Sequence, residues 1–301
     1  AVAAPCGQPT VPVARRSRIG PQTVTVTRMR LIRPELADHV VHAGVDRPGA
    51  ERPVLLWHHG SPQTGAVLPP VAAMADAAGF DVVSIARPAY GGAPRLPGRS
   101  VRDAAARVAD VLDILDLRDV VSVGASGGGP HALGVAALSP ERVAGVVTLA
   151  SIAPFRPGDA SWFSGMADPS GLRSATAGIA SRTAHLEVEE FDPTSFVEAD
   201  YRALEETWAS LGEDVAASAQ WGSDGLVDDD VAFTRPWGFA LADVVAPVVV
   251  VQGELDRVIP PSHATVIAGG IPQATLLRIP DVGHIAVLDH LPAALAALQR
   301  I

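Results

Sequence analysis

The chain has 301 residues, of which 48% are hydrophobic and 19% charged, enough apolar material for a core and incompatible with intrinsic disorder. Its net charge of −10, from 23 basic and 33 acidic residues, argues against a nucleic-acid binder. The single Cys6 excludes an internal disulfide, a zinc-finger cluster and a CxxC pair. No aliphatic run exceeds the one near 244–251, far short of the ~20 residues of a membrane span. All the basic residues are arginine, which excludes a Schiff-base or P-loop lysine.

Residues 1–22 are Pro-rich and aperiodic and read as an N-terminal arm. Residues 23–30 alternate polar and apolar, predicting a half-exposed strand with 38–43 as its hairpin partner. Then come short, continuous apolar runs at 54–57, 82–85, 120–123 and 143–149, suited to strands buried on both faces. Helical stretches over 66–78, 100–117 and 127–138 separate them, predicting βαβ units and a doubly wound, mostly parallel sheet. The rhythm breaks over 151–242, a Pro-containing region with a glutamate-rich patch and four of the five tryptophans. It then resumes with a strand at 248–251, a helix at 262–268, a last strand at 275–279 and a closing helix at 291–299. The expected organisation is an α/β fold over 23–150 and 243–301, with 151–242 inserted as a helical lid.

Gly124-Ala125-Ser126-Gly127-Gly128 follows an apolar run and opens a helix, the strand–turn–helix setting that a G-x-S-x-G nucleophile elbow requires. A serine hydroxyl is a poor nucleophile unless a base, oriented by a carboxylate, takes its proton. Asp256 follows the strand at 248–251, and His284 follows the one at 275–279. The order Ser126, Asp256, His284 places all three at successive carboxyl ends of strands, where such sheets carry their sites. An oxyanion needs backbone donors; the expected pair is the N–H of Gly127 and that of Ser61 in His58-His59-Gly60-Ser61-Pro62. His58 and His59 are expected to be structural, and His131 to face its helix surroundings. Asp228–Asp230 reads as a solvated acidic run.

The segments HHGSP (58–62), RPAYGG (87–92), GASGGGPHAL (124–133), GELD (253–256) and VGH (282–284) resemble those of the α/β-hydrolase superfamily, in its serine-nucleophile, capped esterase and peptidase group. The resemblance implies an oxyanion loop, an elbow, an acid loop and a histidine loop at these positions. Serine at the apex departs from the aspartate of related dehalogenases and many epoxide hydrolases. Proline iminopeptidases hold a substrate amine with a cap glutamate; Glu187, Glu189, Glu190, Glu198, Glu205 and Glu206 match that role at no single position and read as a solvated helix face. The lid aromatics are expected to form its own core while some roof the pocket, with Trp162 and Trp208 as the substrate-binding candidates.

The expected activity is a serine hydrolase cleaving a small or medium apolar ester, lactone or thioester through an acyl-enzyme, without cofactor or metal. Alternatives left open are a cofactor-free lyase or cyclase, an acyltransferase, a ligand-binding receptor and an iminopeptidase-like aminopeptidase. The expected partner is a small acyl or ester molecule, not a nucleic acid or a membrane; a homodimer is left open. The arginines at 15, 16 and 18 follow the apolar start rather than preceding it, unlike a signal peptide, so the expected location is the cytoplasm. A removed leader is left open.

Overall fold

The computed structural model describes residues 29–300. The arm expected over 1–22 and most of the strand expected over 23–30 lie outside the described residues. The end of that strand is β1 (Met29–Leu31), paired antiparallel with β2 (Val41–Ala43). There follow β3 (Val54–His58), β4 (Asp81–Ile85), β5 (Val120–Ala125), β6 (Val143–Leu149), β7 (Val248–Gly253) and β8 (Ala274–Ile279). They form one eight-stranded sheet in the order β1-β2-β4-β3-β5-β6-β7-β8. β2 runs antiparallel to β4, and every pairing from β4 through to β8 is parallel.

The apolar runs are continuous because both faces of the sheet are covered, and successive side chains point to opposite faces. Leu56, Val248 and Val250 join the core under the helices α2 (Val101–Ile114), α3 (Gly129–Leu138) and α9 (Pro261–Gly270). Leu55, Trp57, Val249 and Val251 join the core under α1 (Pro69–Ala77) and α10 (Leu291–Leu298). α2 starts at Ser100 through a reciprocal capping box with Asp103. α1 begins three residues later than predicted, because Pro69 and Pro70 lack the N–H that positions beyond the first turn must donate.

Between β6 and β7 the chain builds α4 (Ser170–Thr176), α5 (Ile179–Leu186), α6 (Glu198–Glu205), α7 (Ala209–Ser218) and α8 (Asp224–Phe233). This inserted segment is not a detachable layer. Trp162, Phe163, Ala232, Phe233 and Trp237 belong to the same buried cluster as α2 and α3. Among the described residues, no helix is long and apolar enough to cross a membrane.

Candidate active site

Three strand ends converge on one point. Ser126, at the end of β5, has φ 53, the left-handed region that a non-glycine residue occupies only under constraint. The flanking glycines explain how so tight a turn fits. A Cβ on Gly124 would fall on the carbonyl of Gly128, and one on Gly128 would fall on the carbonyl of His58 in the neighbouring strand. Ser126 Oγ lies 3.0 Å from His284 Nε2, and His284 Nδ1 lies 2.9 Å from Asp256 Oδ2. Asp256 is itself fixed: its Oδ1 accepts the N–H groups of Val258 and Ile259, each at 2.9 Å, and Gln252 Nε2 donates to Oδ2 at 3.1 Å. Both Asp256 oxygens serve as acceptors, so His284 Nδ1–H donates to Asp256, leaving Nε2 to accept from the Ser126 hydroxyl. Burial opposes a charge on His284, but the Asp256 carboxylate, its hydrogen bond and Asp200 together raise the imidazole above the ordinary histidine range.

The loop after β3 is held by an arginine that sequence reasoning passed over. Arg87, just beyond β4, donates through Nη1 to the carbonyl of His59 and through Nη2 to that of Gly60 at 3.0 Å and to Ser61 Oγ at 2.9 Å. Its Nε and Nη2 reach Asp229 Oδ2 at 3.1 and 2.8 Å. Ser61 Oγ donates to the same oxygen at 2.6 Å, and Tyr90 OH does so at 2.9 Å. Arg99 donates to Asp229 Oδ1. Asp229 comes from α8, so a carboxylate of the inserted segment anchors the loop beside Ser126. Burial works against that charge, yet Arg87 and Arg99 hold the Asp229 carboxyl well below the usual range. Ser61 also sits against the elbow: a Cβ on Gly127 would lie 2.6 Å from Ser61 Oγ.

The solvated reading of Asp228–Asp230 is thus overturned. All three are buried, and each has its own arginine. Asp228 takes Arg95 in a bidentate pair at 2.8 and 2.9 Å, and Asp230 takes Arg182 at 2.7 Å. Buried charges persist only when so paired. Burial pushes the Asp230 carboxyl up to about 7, with Arg182 opposing the rise. A signal was present: Leu226, Val227, Val231, Ala232 and Phe233 surround the run, and a helix apolar on most sides is buried.

His58, His59 and His131 are structural. His59 Nδ1 donates to the carbonyl of Gly60 at 2.8 Å and its Nε2 accepts the N–H of Arg87 at 3.1 Å, which fixes a neutral ring. Burial and Arg87 hold His58 down to about 3. His131 Nδ1 donates to the carbonyl of Gly127 at 2.9 Å, bracing the elbow from behind. Among the described residues, no group of three His, Cys, Asp or Glu could hold a metal ion.

Ser126 and His284 open into a cavity of 640 Å³ with a mostly apolar wall that includes Trp57, Leu68, Leu204, Leu211, Val215 and Ile285. Neither Trp162 nor Trp208 lines it, a correction to their expected role. Trp162 Nε1 donates to the Ala153 carbonyl at 3.0 Å and its ring packs edge-on against Phe155, Phe163 and His263. Trp208 is fully buried, with Nε1 donating to Asp289 at 2.8 Å. A buried indole N–H must find an acceptor, and neither acceptor belongs to the cavity wall: Ala153 is buried, and Asp289 is an exposed residue. The glutamates divide. Glu187, Glu198, Glu205 and Glu206 are exposed, whereas Glu189 and Glu190 reach the cavity with Asp168 and Asp192. Glu189 pairs there with the buried Arg182 at 2.8 Å. A second depression, of 720 Å³ and lined by Arg33, Arg47, Arg52 and Arg118 together with Glu51, Asp116 and Asp119, lies at the opposite edge of the sheet and holds none of Ser126, Asp256 and His284.

These placements yield a contrast that a single set of kinetics resolves. Trp208→Ala should lower stability by about 3–5 kcal/mol and leave acyl-chain preference unchanged. Leu211→Phe should instead narrow the cavity and shift preference toward shorter chains, each excluded CH₂ being worth about 0.8 kcal/mol in kcat/KM.

A largely parallel, doubly wound sheet with a serine on a strained strand-to-helix turn defines the class of hydrolase-fold proteins. The sequence profile of the alpha/beta hydrolase fold family matches residues 53–291, and the chain belongs to that family. No curated protein sequence matches it. Among solved structures it is similar to an alpha/beta hydrolase fold protein from Nakamurella multipartita, at 21% identity, with 91% of this chain and 98% of that one covered and a TM-score of 0.63. A thermophilic esterase from Thermogutta terrifontis is similar at 20% identity, with coverages of 91% and 97% and a TM-score of 0.62. The enol-lactonase from Burkholderia xenovorans LB400 is similar at 17% identity, with coverages of 88% and 97% and a TM-score of 0.63. At these identities the likeness is one of fold.

Proposed function

We propose that the protein is a serine hydrolase acting on a carboxylic ester, lactone or thioester with a small to medium apolar acyl part. The observation that carries this reading is the hydrogen-bonded chain Ser126–His284–Asp256 opening into a mostly apolar cavity. Ser126 Oγ attacks the carbonyl while His284 Nε2 takes its proton; the same nitrogen then protonates the leaving group. Asp256 keeps Nδ1 protonated and balances the imidazolium that forms. The backbone N–H groups of Gly127 and Ser61 receive the oxyanion, one such donor being worth about 3 kcal/mol of barrier. Water, activated by His284, then cleaves the acyl-enzyme, so the inserted segment serves as the cap over a pocket. A panel of nitrophenyl acyl esters, read by product release and by mass spectrometry of Ser126, tests the reading. Burst release with an acyl adduct on Ser126 supports it, and ligand binding without turnover favours a receptor instead.

A second reading, an aminopeptidase, is favoured by one observation: Asp168, Glu189, Glu190 and Asp192 give the cavity an acidic end. Aminoacyl nitroanilides added to the panel discriminate, since only this reading expects them to be cleaved faster than the acyl esters.

Because His284 must be neutral to accept the proton, activity should fall as the pH drops through its pKa. That pKa is raised, so the midpoint should lie above the ordinary value of about 6.5. Asp256→Asn should lower kcat by about 10³–10⁴-fold by disturbing the tautomer, with KM nearly unchanged. A pH–rate profile that stays flat between pH 5 and 9 would remove His284 as the base.

A further inference from the structure

The loop carrying His284 is held from the cap. Asp200, in the first turn of α6, is fully buried and has no cation among its hydrogen-bond partners. Its Oδ1 accepts the N–H of Ile285 at 2.8 Å and of Ala286 at 2.9 Å. Its Oδ2 accepts the N–H of His284 at 3.2 Å and that of Val197, the residue just before its own helix, at 3.1 Å. The three consecutive donors at 284–286 lead into the short helical turn over 286–290, so one carboxylate caps that turn from another part of the chain. The approach is built for: a Cβ on Gly283 would fall on Asp200 Oδ2 and lie 2.9 Å from Val197 Cγ2.

We propose that Asp200 is a positioning residue for catalysis, holding the His284 backbone so that Nε2 stays in register with Ser126 Oγ. This rests on the reading of Ser126 as nucleophile and His284 as base. The chemistry selects a carboxylate. Four N–H donors converge on it, and an amide of the same shape offers one acceptor oxygen and turns an NH₂ group toward two of those donors. The consequence is that the cap belongs to the catalytic machinery as well as to the pocket wall. Releasing the loop lets the imidazole drift, and about 1 Å of misplacement at a reacting group costs about 10²-fold in rate.

The charges facing His284 are Asp256 at Nδ1 and Asp200 behind its backbone, with Ser126 at Nε2. Loss of Asp200 should therefore move the acid limb of the pH profile downward, an effect that mere loosening of the fold does not produce. The test compares wild type, Asp200→Asn, Gly283→Ala and, as a control on the exposed end of α6, Glu206→Gln. Each is followed by thermal unfolding, by kcat and KM for a nitrophenyl ester, and by the rate at which a small organophosphonate labels Ser126 from pH 5 to 9. Folded Asp200→Asn should lose about 10²-fold in both kcat and labelling rate, keep KM within about threefold, and show an acid limb at lower pH; Glu206→Gln should match wild type. If Asp200→Asn does not fold, Gly283→Ala carries the test, since its methyl group expels the carboxylate while leaving the charge nearby; the rate loss is then expected without the shift in the limb. A folded Asp200→Asn with the wild-type labelling rate and acid limb overturns the proposal while leaving Ser126 as nucleophile. Failure of both variants to fold makes Asp200 a support of the fold and also overturns it. A wild-type protein that the phosphonate does not label overturns the nucleophile reading itself, and this inference falls with it.

Discussion

Ser126→Ala should reduce kcat by about 10⁴- to 10⁶-fold, the range seen when a nucleophile is removed from an interdependent triad. The hydroxyl is the atom that His284 Nε2 faces at 3.0 Å, and the other described histidines with assigned partners are engaged elsewhere. Alanine keeps the Cβ and leaves the turn and its glycines intact. Substrate binding and the unfolding temperature should therefore stay close to those of wild type. The check is steady-state kinetics together with a thermal melt. More than about a hundredth of the activity remaining in a folded alanine variant means that another group attacks the carbonyl.

Asp229→Ala should destabilise the protein by about 3–5 kcal/mol, because it strands two buried guanidinium groups. Arg87 and Arg99 are buried, and Asp229 is the carboxylate that both contact. For a chain of this size the loss corresponds to roughly 5–8 °C in unfolding temperature. The sign with pH follows from the depressed carboxyl: its stabilisation is complete above the ordinary carboxylate range and disappears as the pH falls through its lower folded value. The melting difference between wild type and Asp229→Ala should therefore be steady at neutral pH and shrink only in strong acid. A difference that is already gone at pH 6 would mean that Asp229 is not held ionised by the two arginines. The same change removes the acceptor of Ser61 Oγ, so activity in the folded fraction should fall as well, through the loop after β3 that packs against Ser126 and Gly127.

These two residues mark a division of labour different from one in which the body supplies chemistry and the inserted segment filters substrates. Three aspartates of that segment reach into the loops at the carboxyl edge of the sheet. Asp229 grips Ser61, Asp200 grips 284–286, and Asp214 on α7 accepts the N–H and hydroxyl of Thr64 at 3.0 and 2.5 Å. The inserted helices are thus tied into the frame on which the site is built.

Short-range pattern determined a large part of this molecule. A strand buried on both faces must be a continuous apolar run, so β3 to β7 show in the residues themselves, with β6 over the very residues predicted. Prolines place the first turn of a helix, and the glycines of 124–128 follow from a turn too tight for a Cβ on either side, so the elbow was legible as well. Ser126, Asp256 and His284 could be picked out because each sits directly after its own strand, and parallel strands put those ends at one edge. What local pattern did not contain is which distant group each buried side chain meets. The Asp228–Asp230 run looks solvated until Arg95, Arg87, Arg99 and Arg182 are brought to it, the first three from more than 100 residues away. Trp162 and Trp208 look like pocket aromatics until their N–H groups find Ala153 and Asp289. Asp200 looks like an ordinary first-turn aspartate until the His284 loop is laid against it. The physical reason is the same in all three cases. Burying a charge or a polar hydrogen is unfavourable by itself and becomes tolerable only beside a specific partner, and only the tertiary structure decides which partner that is.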